Sequence, residues 1–143
     1  MKFLSEMSVR YSETDQMGVV YHANYLSWFD VARTHLLREA GFPYELCEER
    51  GYFAPVVHAE IDYGIPFRFG ESAIIVTYIK DVTPVKTTYC YELYGLEDDR
   101  EVAKPRLTGH TIHCLVDKNN FKPVSLKKVL PDLYEIYQQI KED

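Results

Sequence analysis

Residues 11–33, YSETDQMGVVYHANYLSWFDVAR, join a polar loop to the start of the most apolar helical pattern in the chain. From residue 25 to residue 40, apolar side chains recur at helical spacing and cover much of the circumference. Asn24 is a good residue to cap the start of such a helix, and Gly41 is a good residue to end it. A helix this apolar must be buried, so we expect it to form the centre of the fold.

Strand patterns lie on both sides of this helix. Met7, Val9 and Tyr11 alternate with polar residues before it, which indicates a short strand. Four more strands are predicted after it, the first of them half-buried, over residues 57–63, 73–81, 86–94 and roughly 102–116.

A C-terminal helix is predicted from an apolar stripe at Leu130, Leu133, Tyr137 and Ile140. The turns between strands are short, so neighbouring strands should pair antiparallel. The sequence therefore predicts an α+β protein, in which a curved antiparallel sheet of about five strands wraps round one long central helix.

Bulk properties narrow the class of protein. A chain of 143 residues suits one domain, and a net charge of −6 argues against nucleic acid as a partner. Three scattered cysteines are too few for a disulfide framework, and their odd number favours a reducing compartment. Without a signal-peptide pattern or an apolar run of about 20 residues, the expectation is a cytoplasmic protein with no membrane span.

The loop before the central helix contains the candidate reactive residues. Asp15 supplies a carboxylate, Gly18 allows a tight turn, and the helix start after His22 offers unpaired N–H groups and a positive dipole end. A carboxylate beside such a helix start suits acyl transfer, where one group activates water and the other stabilises an oxyanion. From the residues alone, a simple turn or capping role is the more common one for such an aspartate, so the residues by themselves favour a structural role for Asp15.

The same stretch resembles the signature of the 4-hydroxybenzoyl-CoA thioesterase family, and most closely its branch encoded with the Tol–Pal system. The shared pattern is Asp15-x-x-Gly18, an apolar run, and Asn24-Tyr25 at the opening of the helix. Residues 65–71, IPFRFGE, resemble the family's Pro-x-Arg-Tyr-Gly-Asp turn. The predicted order of elements agrees along about the whole chain.

The resemblance implies one hotdog domain over residues 1–143 that hydrolyses an acyl-CoA thioester, with acyl-carrier protein as a possible carrier. It implies a homodimer or homotetramer with active sites at subunit interfaces. By position, Asp15 is the catalytic carboxylate and the amide of His22 polarises the carbonyl, with Gly18, Asn24 and Tyr25 supporting the loop and helix start. No metal or redox cofactor is implied.

Lys86 is the candidate contact for coenzyme A phosphates, because relatives bind them near the turn between middle strands. Here residues 80–88 hold only Lys80 and Lys86, so solvated strand ends explain both equally well.

Other polar residues are expected to be structural. His110 and His113 are three apart on one strand and should point to opposite faces, which argues against a shared metal ion. His58 and Glu13 are expected on the solvated surface, and the cysteines are expected to be inert.

Two other functions stay open from sequence. A hotdog hydratase or dehydratase acting on enoyl-CoA would place a histidine four or five residues after its aspartate, whereas His22 follows Asp15 by seven. A non-catalytic module that binds acyl-CoA or acyl-carrier protein would not need the carboxylate. The acyl group and the choice between dimer and tetramer are not determined by these patterns.

Overall fold

The computed structural model describes all 143 residues, and its main sheet has five antiparallel strands. In spatial order these are β1 (Phe3–Ser8), β4 (Ser72–Val82), β5 (Thr87–Gly95), β6 (Leu107–His113) and β3 (Val56–Tyr63). A second sheet of three short strands comprises β2 (Tyr52–Phe53), β7 (Leu115–Asp117) and β8 (Pro123–Val124). Strands β1 and β3 are therefore the two open edges of the main sheet.

The helices are α1 (Tyr25–Glu39), α2 (Tyr44–Glu49), α3 (Leu126–Val129) and α4 (Pro131–Ile140). A 3-10 turn, His22–Asn24, leads directly into α1. Gly41 follows the last turn of α1 with φ of 93°, as expected of a glycine that ends a helix. None of these helices combines the length and the apolar composition that a membrane crossing requires.

Helix α1 packs on the middle of the main sheet. Trp28, Phe29, Ala32 and Leu36 have no exposed surface, and the rings of Phe29 and Tyr91 stack with centroids 4.0 Å apart. Gly109 of the neighbouring strand β6 faces the Phe29 ring, and a Cβ atom at this position would lie 2.8 Å from that ring. The predicted α+β hotdog architecture, with a central helix, a five-stranded sheet and a C-terminal helix, is confirmed.

Two predicted strands have other bounds. The first strand ends at Ser8, because Tyr11–Glu13 turns into a short 3-10 helix instead of continuing the strand. The last predicted strand is shorter at its start and breaks at Cys114, where the chain leaves β6 for β7 in the small sheet. An unbroken apolar pattern does not reveal such a change of sheet.

Strand β3 was expected to be half-buried, and in the single chain this is wrong. All of its residues except the partly buried Ile61 are exposed. Val56 and Val57 at its start and Tyr63 at its end are each about half exposed. Apolar side chains on an open edge of a sheet are unusual for a monomer.

Candidate active site

The loop that bears Asp15 is a small hairpin. Thr14 bridges to Val20, the Asp15 N–H donates to the Val19 carbonyl at 2.9 Å, and the Gly18 N–H donates back to the Asp15 carbonyl at 3.0 Å. Gly18 adopts a φ of 77°, which glycine accepts without strain. Asp15 Oδ1 accepts the Met17 N–H at 2.9 Å, while Oδ2 has no partner in the chain. One carboxylate oxygen thus fixes the side chain, and the other is available to a ligand.

Glu13 fastens this hairpin to the central helix. Glu13 is only 5% exposed, and its side chain accepts the Trp28 indole N–H at Oε2 and the Arg10 backbone N–H at Oε1, both at 2.8 Å. The Glu13 carbonyl accepts the Asn24 side-chain amide and the Tyr21 N–H, also at 2.8 Å. The expected surface position of Glu13 is therefore wrong, because the buried indole N–H requires an acceptor.

Asn24 also differs from its predicted role. It has helical backbone angles and its side chain makes no capping bond to α1. Instead the side-chain amide donates to the Glu13 carbonyl and joins the loop to the helix start.

The hydrogen bonds to Glu13 keep it charged. Burial alone opposes ionisation, but the bonds donated by the Arg10 backbone and by Trp28, together with the bond and the positive charge of the Arg10 guanidinium, outweigh it, and the pKa of Glu13 is lowered. Glu13 therefore remains a carboxylate at neutral pH and an acceptor for both donors.

The start of the helical segment lies beside the hairpin. The His22 backbone N–H makes no hydrogen bond to a turn, a loop or a helix cap, as is usual for the first N–H groups of a helix. The Tyr63 hydroxyl donates to the His22 carbonyl at 3.2 Å, and the His22 ring lies against the Tyr21 and Tyr63 rings. The end of β3 thus helps to hold the position of the His22 turn.

Asp15 and His22 line one cleft of about 190 Å³. Its other walls include Tyr25, Tyr63, Ile65 and Leu107. Tyr25 is buried below the cleft, and its hydroxyl accepts the Phe67 N–H at 3.2 Å. The structure therefore brings together a carboxylate with a free oxygen and a helix start with an unpaired N–H, the pair of groups that acyl transfer needs.

The sequence did not predict which residues close this cleft. Ile65 was recognised only as part of a turn, and Tyr63 and Leu107 only as strand residues. Strands β3 and β6 pair Tyr63 with Leu107, so the wall depends on a register between distant segments. Local patterns contain no signal for that register.

Lys86 lies elsewhere, at a second cavity of about 240 Å³ that shares no lining residue with the cleft of Asp15. Arg33, which lines this cavity, donates to the Tyr91 hydroxyl at 3.0 Å and to Asp30 at 2.7 Å. Burial, assisted by the nearby Arg33, lowers the pKa of His113 to about 4, so its imidazole is neutral at pH 7. One chain alone does not bring Lys86 to the cleft of Asp15.

Two of the thiols are unsuited to attack a substrate. Burial raises the pKa of Cys47 to about 11 and also raises the pKa of Cys90. Since the thiolate is the nucleophile, both are unreactive at neutral pH.

Comparison with known proteins identifies the class. Residues 9–134 match the thioesterase-like superfamily, and the chain belongs to that superfamily.

Individual relatives agree with this assignment. The chain is 41% identical over 137 residues to the "Putative acyl-CoA thioesterase YneP" of Bacillus subtilis strain 168, covering 96% of each protein. It is 31% identical over 127 residues to the acyl-CoA thioesterase YbgC of Haemophilus influenzae, covering 88% of this chain and 89% of that protein. Among solved structures, the DHNA-CoA thioesterase of Staphylococcus aureus superposes with a TM-score of 0.89 at 31% identity, covering 96% of this chain and 89% of that one.

The role of Glu13 can be tested by replacing it with glutamine. We expect Glu13→Gln to lower the free energy of unfolding at pH 7 by about 1–3 kcal/mol, because the charged acceptor of the buried Trp28 bond and of the partly buried Arg10 bond is lost. The folded pKa lies below the unfolded value of about 4.3, so this stabilisation is present above that pH and is lost as the pH falls through the folded pKa. The difference between wild type and variant should therefore shrink between pH 7 and pH 3 in urea unfolding.

Glu97→Gln is the matched control, since Glu97 is exposed and forms no hydrogen bond or ion pair through its side chain. Its difference from wild type should stay near zero at both pH values. A Glu13→Gln variant as stable as wild type, or a difference independent of pH, would contradict the role given to Glu13.

Proposed function

We propose that this protein hydrolyses acyl-CoA thioesters, with Asp15 as general base or nucleophile and the His22 turn as the group that polarises the carbonyl. The observation that supports this most strongly is the shared cleft, which is lined both by Asp15, with its free carboxylate oxygen, and by His22, with its unpaired backbone N–H. The names of the YneP and YbgC relatives point to the same reaction. Histidine at position 22 favours the Tol–Pal-associated branch, and the three free cysteines favour the cytoplasm.

The reaction follows from these two groups. The thioester carbonyl oxygen accepts a hydrogen bond from the His22 N–H, which stabilises the negative charge that develops there. Asp15 takes a proton from a water molecule that adds to the carbonyl carbon, or adds directly to give a mixed anhydride that water then opens. In both routes the C–S bond breaks and coenzyme A leaves as a thiolate. The hydrogen-bonded loop keeps the carboxylate in place throughout.

Asp15→Asn tests the chemical role. The substitution keeps the shape and an acceptor for the Met17 N–H but removes the base, so we expect kcat to fall by at least about 100-fold. Thiol release from a panel of acyl-CoA chain lengths, together with a thermal melt to confirm folding, provides the measurement. Asp81→Asn, an exposed aspartate on β4, is the control and should retain the wild-type rate.

Near-normal turnover by Asp15→Asn would remove Asp15 from the mechanism. A wild-type protein that binds acyl-CoA saturably without releasing thiol would indicate a binding module instead. Water addition to an enoyl-CoA would indicate the hydratase.

We also propose that two copies associate through β3, either as a homodimer or as one pair within a homotetramer. Its outer edge is unpaired and its apolar residues Val56, Val57 and Tyr63 are exposed. Pairing with the same strand of a second copy would satisfy the free backbone groups and cover this apolar surface. Tyr63 and the adjoining Ile65, which is 64% exposed, also wall the cleft, so the second copy would complete the site.

Val57→Lys places a charge on this edge, and we expect it to shift the protein from oligomer to monomer in size-exclusion chromatography with light scattering. Thiol release should fall with it, because the cleft would lose its second wall. Leu4→Lys is the control, since Leu4 is 48% exposed on β1, the opposite edge, and its replacement should leave the mass unchanged. The β3 interface is wrong if Val57→Lys keeps the wild-type mass.

Lys86 is proposed as a phosphate contact that one subunit supplies to the cleft of another, since it is exposed and remote from the cleft of its own chain. We expect Lys86→Ala to raise KM for acyl-CoA about fivefold, the equivalent of about 1 kcal/mol for an exposed charge contact, with kcat retained. Lys104→Ala is the matched exposed control. An unchanged KM would reject the assignment.

A further inference from the structure

Three potential metal ligands meet on the face of the main sheet that is turned away from α1. The imidazoles of His58 and His110 lie 5.4 Å apart between centroids with an interplanar angle of 28°. The Glu60 carboxylate reaches His110, with Oε2 and Nδ1 3.4 Å apart. One ligand atom from each of the three residues lies within 4.8 Å of those of the other two.

The strand register holds these residues together. Glu60 of β3 is directly opposite His110 of β6, and His58 precedes Glu60 by two positions on the same strand. Alternate residues of a strand share a face, so the three side chains project in one direction. The neighbouring Gly109 is adjacent to the Phe29 ring of α1, which places the three ligands on the opposite face.

Two imidazoles and a carboxylate suit a borderline divalent ion. Ligand atoms about 2.0–2.1 Å from a tetrahedral zinc ion are about 3.3 Å apart. The His110–Glu60 pair is already at 3.4 Å, and rotation of the exposed His58 ring supplies the third ligand. The His110 and Glu60 side chains are 31% and 60% exposed, so an ion can enter and keep water at its open position.

We propose that His58, Glu60 and His110 form a binding site for Zn²⁺ or a similar divalent transition metal, separate from the acyl-CoA cleft. His113, the only other histidine on this strand, lies on the other face of the sheet and hydrogen-bonds to Thr111 and Ala54. The partner of His110 comes instead from a strand about 50 residues away. Edge pairing through β3 would leave this face of the sheet open, so the site is compatible with the proposed dimer.

Zinc titration of the metal-free full-length protein, in competition with a chromogenic chelator, tests the site. Wild type should bind one Zn²⁺ per chain that the double variant His58→Ala/His110→Ala does not bind. Glu60→Gln should weaken this binding at least about tenfold, because loss of even an outer-shell contact costs 10–100-fold. His35→Ala, a partly buried histidine on α1, is the control and should bind as wild type does.

Imidazole NMR signals give a second readout that needs no substitution. One equivalent of Zn²⁺ should shift the ring resonances of His58 and His110 and leave those of His35 and His113 in place. Equal Zn²⁺ binding by wild type and the double variant, or absence of shifts at His58 and His110, would overturn the proposal. Because thiol release is not part of either test, failure here leaves the proposed hydrolysis unaffected.

Discussion

The site depends on the hydrogen bonds that the buried residue Glu13 accepts. Glu13 lies two residues before Asp15, and its side chain accepts the indole N–H of Trp28 from inside the core. The backbone carbonyl of Glu13 accepts hydrogen bonds from the Asn24 side chain at the helix start and from the Tyr21 N–H on the far arm of the hairpin. A loop with few apolar contacts would otherwise be mobile. Because these bonds meet at one residue, the positions of the Asp15 loop and of the His22 turn are set together.

The second constraint is the open edge at β3. A five-stranded sheet can cover one side of α1, but it leaves β3 as an edge strand with exposed apolar residues and unpaired backbone groups. Tyr63 at the end of that strand donates a hydrogen bond to the His22 carbonyl and also lines the cleft. In the proposed dimer, subunit association and completion of the cleft would therefore depend on the same strand.

The fold was largely predictable because the sequence patterns that indicate its helices and strands are local. The apolar periodicity of residues 25–40 gave the central helix, and two-residue alternation gave most strands. Asp15, Gly18 and His22 were found from their spacing and the resemblance, and the structure places Asp15 and His22 in one cleft. Their chemical roles remain predictions.

Other features could not be predicted because they depend on contacts between distant segments. Glu13 looks like a surface residue until the Trp28 indole is placed beside it. The exposure of β3 follows from its edge position, which alternation cannot reveal. The break at Cys114 reflects a change of sheet, and the meeting of His58 with His110 reflects strand register.

The most direct test of the central claim is a crystal structure with a carba(dethia) acyl-CoA, in which CH₂ replaces the thioester sulfur and the carbonyl is kept. We predict that its carbonyl oxygen lies about 2.7–3.1 Å from the His22 backbone N, with the Asp15 carboxylate about 3–3.5 Å from the carbonyl carbon or one water away. A carbonyl bound far from both groups, for example in the cavity beside Arg33, would contradict the account.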